Sequence, residues 1–232
     1  MDDFYRKVTK GRFYKFGEKL SELMTLSLLW FVFCIPVITF VPSCAALYYA
    51  TRKRKYNKSG APSKDFMHSL KSNIKQGIVI NIIYLIYSLI TAANIFIGYF
   101  GIGDMKLPSF YFPLSLILLL PLIFSFPFVI PCLARYENTT KNTFINGFTL
   151  STLYFGKSLL VCLTMLITLA VLIVFPPSLL FLPALSADFI TGSLEKAFVY
   201  TENKMNGRSQ EEDEEEEKEE ETPTDDEEIT EE

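Results

Sequence analysis

An all-helical bundle built into a membrane is the fold this sequence predicts, and three observations predict it. Four apolar runs, residues 23–50, 77–100, 109–134 and 158–190, each exceed the roughly 20 residues that span a bilayer core. Apart from Asp188, no charged residue lies inside any of them. Most of the lysines and arginines sit in short clusters beside these runs, where positive charge meets lipid headgroups.

The net charge of -4 hides a division of the chain. Residues 211–232 hold 16 acids and one base, Lys218, whereas residues 1–210 hold 10 acids and 21 bases. Two parts are therefore predicted: a helical membrane domain over 1–200 with basic flanks, and an acidic tail over 201–232. From about residue 203 the tail has too little apolar surface to bury and is predicted to stay disordered. The basic body suits the anionic cytoplasmic leaflet of a bilayer. Its bases flank apolar segments, so lipid explains them and nucleic acid does not.

Charge also decides the threading. If every run crossed once, ten bases would face one side and eleven the other, which gives no preference. If runs 23–50 and 158–190 enter and return on the same side, twenty bases face the cytoplasm and one, Lys106, faces out. The second arrangement obeys the positive-inside rule and puts both termini in the cytoplasm.

Prolines supply the bends. The first run is interrupted at Pro36 and Pro42, and the last at Pro176, Pro177 and Pro183. Proline lacks a backbone donor and clashes with the preceding turn, so close-set prolines end helices. Both runs are shorter than the roughly 40 residues that two full crossings require, which predicts re-entrant hairpins; a kinked single crossing is the competing reading. Thr39, between the first two prolines, is placed to satisfy carbonyls freed by the break. Pro36, Thr39, Pro42, Pro176 and Pro177 are thus candidate helix-break and interaction positions.

The two middle runs read as true crossings joined by a short loop containing Gly101, Gly103 and Pro108. Residues 109–134 carry Pro113, Pro121, Pro127 and Pro131, which predicts a kinked or partly unwound helix. In the second run, Asn81, Tyr84, Ser88 and Thr91 recur at helical spacing and form a polar stripe on one face. Such a stripe makes hydrogen bonds between helices or lines a path for water or a solute. Residues 62–76 show Phe66, Leu70 and Ile74 on one helical face. That face lies in the headgroup layer, docks on a partner or leads into the next crossing; residues 139–157 repeat the pattern through Phe144, Phe148 and Leu150.

Nothing in the sequence points to catalysis. There is one histidine, His68, among lysines, and there is no phosphate loop, metal-ligand spacing or nucleophile motif. Cys34, Cys44, Cys132 and Cys162 all lie in apolar runs and read as small buried hydrophobes. No catalytic residue, cofactor or metal is expected. Asp188 reads as a carboxylate at the membrane boundary, with pairing to an ion or a partner's charge as the alternative.

The run Pro36-Val37-Ile38-Thr39-Phe40-Val41-Pro42-Ser43-Cys44-Ala45-Ala46-Leu47-Tyr48 follows the Leu28-Leu29-Trp30 span. It resembles the signature of the YesL-like family of membrane proteins, Domain of Unknown Function 624. Asp65-Phe66, Asn73, Lys75-Gln76, Ala134 to Asn138 and the late Pro176-Pro177 break agree in order. Val41 stands where that family usually has glycine, and the acidic tail is outside its pattern. The resemblance implies a multi-span protein of the bacterial cytoplasmic membrane whose genes neighbour ATP-binding-cassette carbohydrate uptake systems. It implies no catalytic or ligand residues. The function expected is a non-catalytic accessory or regulatory component of carbohydrate uptake, with sugar-uptake membrane subunits as partners. The alternative is a small permease or channel for a polar solute.

Overall fold

Residues 12–57, 61–101 and 110–220 are described by the computed structural model, which is helical throughout with no strand among them. Three helical segments in it are long and apolar enough to cross a membrane: Pro62–Phe100, Tyr111–Arg135 and Phe155–Val174. The chain divides into two units, residues 1–191 and 192–232.

Helix α1 (Arg12–Cys34) stops just before Pro36. A 3₁₀ turn, Val37–Thr39, follows, and α2 (Phe40–Tyr56) restarts with Pro42 in its first turn. Proline has no amide proton, and the first helical turn is where that loss costs least. The two helices double back on one another. Glu22 Oε2 lies 3.5 Å from Arg54 Nη1, although 32 residues of straight helix would separate them by about 48 Å. Nearer the turn, Trp30 Nε1 donates to Cys44 Sγ at 3.4 Å and Ser43 Oγ donates to the Phe33 carbonyl at 3.0 Å.

Helix α3 (Pro62–Phe100) opens on a proline and carries Asp65 in its first turn, where the helix dipole favours a carboxylate. It ends at Gly101, whose φ of 79° suits glycine alone. At 39 residues it is about 58 Å long, well beyond the ~30 Å hydrocarbon core. The amphipathic stretch 62–76 therefore leads into the apolar part of the same helix. Its Phe66 and Leu70 are buried with Leu23, Leu26, Ala46, Leu47 and Ala50 of the first run, while Lys64, Lys71 and Lys75 are exposed.

The next apolar segment is divided into α4 (Tyr111–Ile117) and α5 (Leu119–Arg135). The division has a cause: the ring of Pro121 opposes the carbonyl of Ile117, four residues back. Pro127 and Pro131 stay inside α5. Both pieces run antiparallel to α3, joined to it by Tyr111 Oη donating to Asn94 Oδ1 at 2.9 Å and Tyr87 Oη donating to the Leu118 carbonyl at 2.7 Å.

Helix α6 (Thr140–Leu153) is capped by Thr139, whose side chain accepts from the Asn142 amide. It lies against α5 at Gly147, where a Cβ would come within 2.9 Å of the Val129 backbone. Ser151 Oγ donates to the Phe124 carbonyl further along. Thus Leu150 is buried against protein, whereas Phe148 is exposed. Helix α7 (Phe155–Val174) stops before Pro176, a 3₁₀ turn covers Pro176–Leu180, and α8 (Leu182–Glu220) restarts. Met165 and Leu172 of α7 line the same cavity as Ile190 and Pro183 of α8, so this run too is folded at its prolines.

The backbone of α8 continues as helix into the acidic stretch as far as Glu220, where the composition predicts no fold. Glutamate is a good intrinsic helix former. Residues 221–232 of the predicted tail, and residues 102–109 of the predicted loop with Gly103, Lys106 and Pro108, lie outside the described residues.

Candidate functional site: two proline breaks joined by polar bridges

A broken helix frees carbonyls and amides, and each must find a partner if no water is at hand. At the first break Thr39 Oγ1 donates within its own turn, with the Phe33 and Pro36 carbonyls at 2.5 and 2.8 Å. Ser43 Oγ has the Thr39 carbonyl at 2.6 Å as well as that of Phe33. Asn81 then reaches across from α3. Its Nδ2 donates to the Val37 carbonyl at 2.8 Å, and its Oδ1 accepts from the Val41 amide at 3.3 Å. One amide side chain thereby serves an acceptor on the 3₁₀ turn and a donor on the restarted helix. Asn81 can come so close because Gly77, one turn earlier, has no side chain: a Cβ there would lie 2.7 Å from the Cβ of Pro42.

The rest of the stripe divides by partner. Tyr84 Oη and Ser125 Oγ are 2.8 Å apart, and the Tyr84 ring packs on Phe126 and Phe144. Ser88 Oγ bonds to the Leu85 carbonyl of its own helix. Thr91 is buried. Asn81 and Tyr84 are therefore interhelical bridges, while Ser88 is satisfied locally.

At the second break Ser178 Oγ donates to the Phe175 carbonyl at 2.7 Å, and the turn closes on itself through Ser178 N to Phe175 O and Phe181 N to Ser178 O. The restarted helix receives its outside partner from α1: the Ala184 amide donates to Ser27 Oγ at 3.1 Å. Pro176 and Pro177 are exposed, as are Pro36, Ile35, Val37 and Ile38 at the first turn.

The two broken runs also meet at a group of charges. Arg54 Nη2 donates to Asp188 Oδ1 at 2.7 Å, and Arg54 Nη1 faces Glu22. Lys55 Nζ donates to the Asp188 carbonyl at 2.9 Å and lies 3.3 Å from its Oδ2. The Arg54 side chain is only 8% exposed. A guanidinium keeps its charge when buried, so it needs such counter-charges; its Nε remains buried with no hydrogen-bond partner among the described residues. Asp188 thus pairs within its own chain. Beside this group Lys53 Nζ donates to Asp65 Oδ1 at 2.7 Å, and that hydrogen bond holds the ammonium above its usual range.

Sequence reasoning singled out Pro36, Thr39, Pro42 and Asn81 but not that they converge. It missed Gly77, Ser27 and Arg54. Arg54 had no readable signal: Arg52 and Lys53 stand at the same helical spacings from the buried Tyr48, Ala45 and Ala46 as Arg54 does from Ala50 and Leu47.

A cavity of about 280 Å³ lies between the two broken runs and α5. Its wall is nearly all apolar, from Trp30, Leu47, Phe126, Pro131, Leu169 and Ala187 among others. The hydroxyls of Thr168 and Ser186, which also line it, bond to carbonyls of their own helices.

No curated protein and no solved structure matches the chain. Residues 23–95, from the first broken run through most of α3, match the model of the family described as "Protein of unknown function, DUF624", in agreement with the resemblance carried by Pro36 to Tyr48.

Proposed function

We propose that this chain is a non-catalytic protein of the bacterial cytoplasmic membrane that serves as an accessory or regulatory subunit of an ATP-binding-cassette carbohydrate uptake system. Helices α3 and α4–α5 cross the bilayer, and the two broken runs are re-entrant hairpins with both termini in the cytoplasm. The observation that carries the non-transporting role is the fate of the polar stripe. Asn81 is occupied on both sides by the first break, Ser88 is bonded to its own helix, and the cavity between the broken runs and α5 has hydrocarbon walls and no lining residue from α3. A permease for a polar solute needs a polar path, so this lining weighs against it. The exposed apolar residues at both turns, Ile35, Val37 and Ile38 in one and Val174 and Phe175 in the other, support turns that lie in hydrocarbon or against a partner's spans. The link to carbohydrate uptake rests on the family resemblance.

Capture of the full chain from a mild detergent extract tests the role. Recovery of the membrane subunits of a sugar uptake system is the expected result, and their repeated absence overturns it. Topology is tested with Asn57→Cys, just past the basic end of α2. The thiol should resist a membrane-impermeant maleimide in intact cells and react after permeabilisation; labelling in intact cells would refute the doubled-back arrangement.

A further inference from the structure

The apolar cavity has a use that the accessory role does not supply. We propose that it holds one acyl chain of an anionic glycerophospholipid, with the headgroup at the basic end of α2. The cavity is about 280 Å³, nearly twice the ~150 Å³ of an apolar protein cavity that stays dry and takes up benzene. Water finds few partners on its walls: the Thr168 and Ser186 hydroxyls already donate to carbonyls of their own helices and can only accept. A partner helix is about 10 Å across and does not fit such a volume. A hydrocarbon chain does, and the bilayer supplies one beside the exposed Leu169 at its edge.

The position of the charges selects the kind of lipid. Cys44, Leu47 and Tyr48 line the cavity along α2, and Lys55 lies two turns further on, about 10 Å away. On α8, Asp188 lies between the lining residues Ala187 and Ile190 and anchors Lys55, which keeps a third of its side chain exposed. Residues 51–76 carry eight bases against one acid, Asp65. A chain seated in the cavity therefore brings its phosphate to a cationic end of the protein, which favours a net negative headgroup over a zwitterionic one.

Trp30, the single tryptophan, lines the cavity and reports its contents. The full chain is reconstituted in phosphatidylcholine vesicles containing a minor fraction of lipid brominated on its acyl chains, either phosphatidylglycerol or phosphatidylcholine. Brominated phosphatidylglycerol should quench Trp30 about fivefold more effectively, the gain from one well-placed cation. Lys55→Gln should bring that ratio towards one and leave quenching by brominated phosphatidylcholine unchanged. Ala187→Phe and Thr168→Phe fill the cavity from opposite walls, so that one remains informative if the other misfolds. Either should remove the extra quenching. Equal quenching by the two lipids, or undiminished quenching in a folded cavity-filling variant, would overturn the proposal.

Discussion

The two proline breaks solve one problem with different numbers of hands. At the first, Asn81 from α3 satisfies a carbonyl before the restart and an amide after it, and Thr39 and Ser43 cover the carbonyls of Phe33, Pro36 and Thr39. At the second, a single hydroxyl, Ser27 of α1, accepts one amide, and the turn bonds otherwise to itself. The difference follows from what packs alongside. The first break lies against α3 through Gly77, so a bifunctional side chain reaches it from a neighbouring helix. In both cases the partner comes from outside the broken run. A break among apolar residues is stable where another helix brings a polar group to it.

The largest expected effect is at Arg54, where the two regions share one residue. Arg54→Met leaves Glu22 without its cation and Asp188 with Lys55 alone. Removing one member of a buried ion group should cost about 3 kcal/mol, read as a lowered thermal midpoint in detergent by Trp30 fluorescence. Adding Glu22→Gln should restore part of the loss, because the stranded charge is gone. Unaltered stability in Arg54→Met would mean that the charges do not hold the runs together.

Next comes Asn81→Leu, which orphans one part-buried acceptor and one buried donor at once and should cost about 2 kcal/mol. The equivalent change at the second break, Ser27→Ala, orphans one donor and should cost about 1 kcal/mol. Equal losses in the two variants would erase the distinction between a two-sided and a one-sided bridge.

How much of this was legible in the sequence depends on which contacts are local. Pro36 and Pro176 mark real helix ends because the clash that ends a helix acts within four residues. The same holds for Gly101 and for the Ile117 joint before Pro121. The inward face of residues 62–76 was legible from Phe66 and Leu70, but not what it faces: periodicity gives a direction, and the first run rather than the headgroup layer fills it. Asn81 stood out as polar among apolar residues, yet its partners are 40 and 44 positions away. Gly77 and Ser27 gave no signal, since a missing side chain and a lone serine acquire meaning only from the surface that comes against them.

Glycine sharpens the comparison by sign. Alanine in a helix interior gains about 1 kcal/mol over glycine when nothing is in the way. At Gly156, near the start of α7, a Cβ meets nothing within 4 Å, so Gly156→Ala should raise the thermal midpoint slightly. At Gly77 the Cβ would collide with Pro42, and overpacking of about 1–3 kcal/mol outweighs the gain. Gly77→Ala should therefore lower the midpoint. A rise in both variants would show that α3 is free to move away from the first break.

The smallest effect belongs to the pair that flanks the first run at its exposed end. Lys53 is paired with Asp65, and the hydrogen bond raises its pKa above the ordinary 10.5. A lysine raised on folding contributes stability that is complete below its unfolded pKa and is lost as the pH climbs through its folded one. The difference in thermal midpoint between the native chain and Lys53→Met should therefore be constant from neutral pH to just below 10.5 and shrink above it. With more than a third of the Lys53 side chain exposed, solvent screens the pair, so the difference should also fall in high salt. The Arg54 group should lose less in high salt, because its burial limits screening. A salt-dependent loss at Arg54 equal to that at Lys53 would place both pairs in the same solvent-exposed environment and remove Arg54 as the link between the two broken runs.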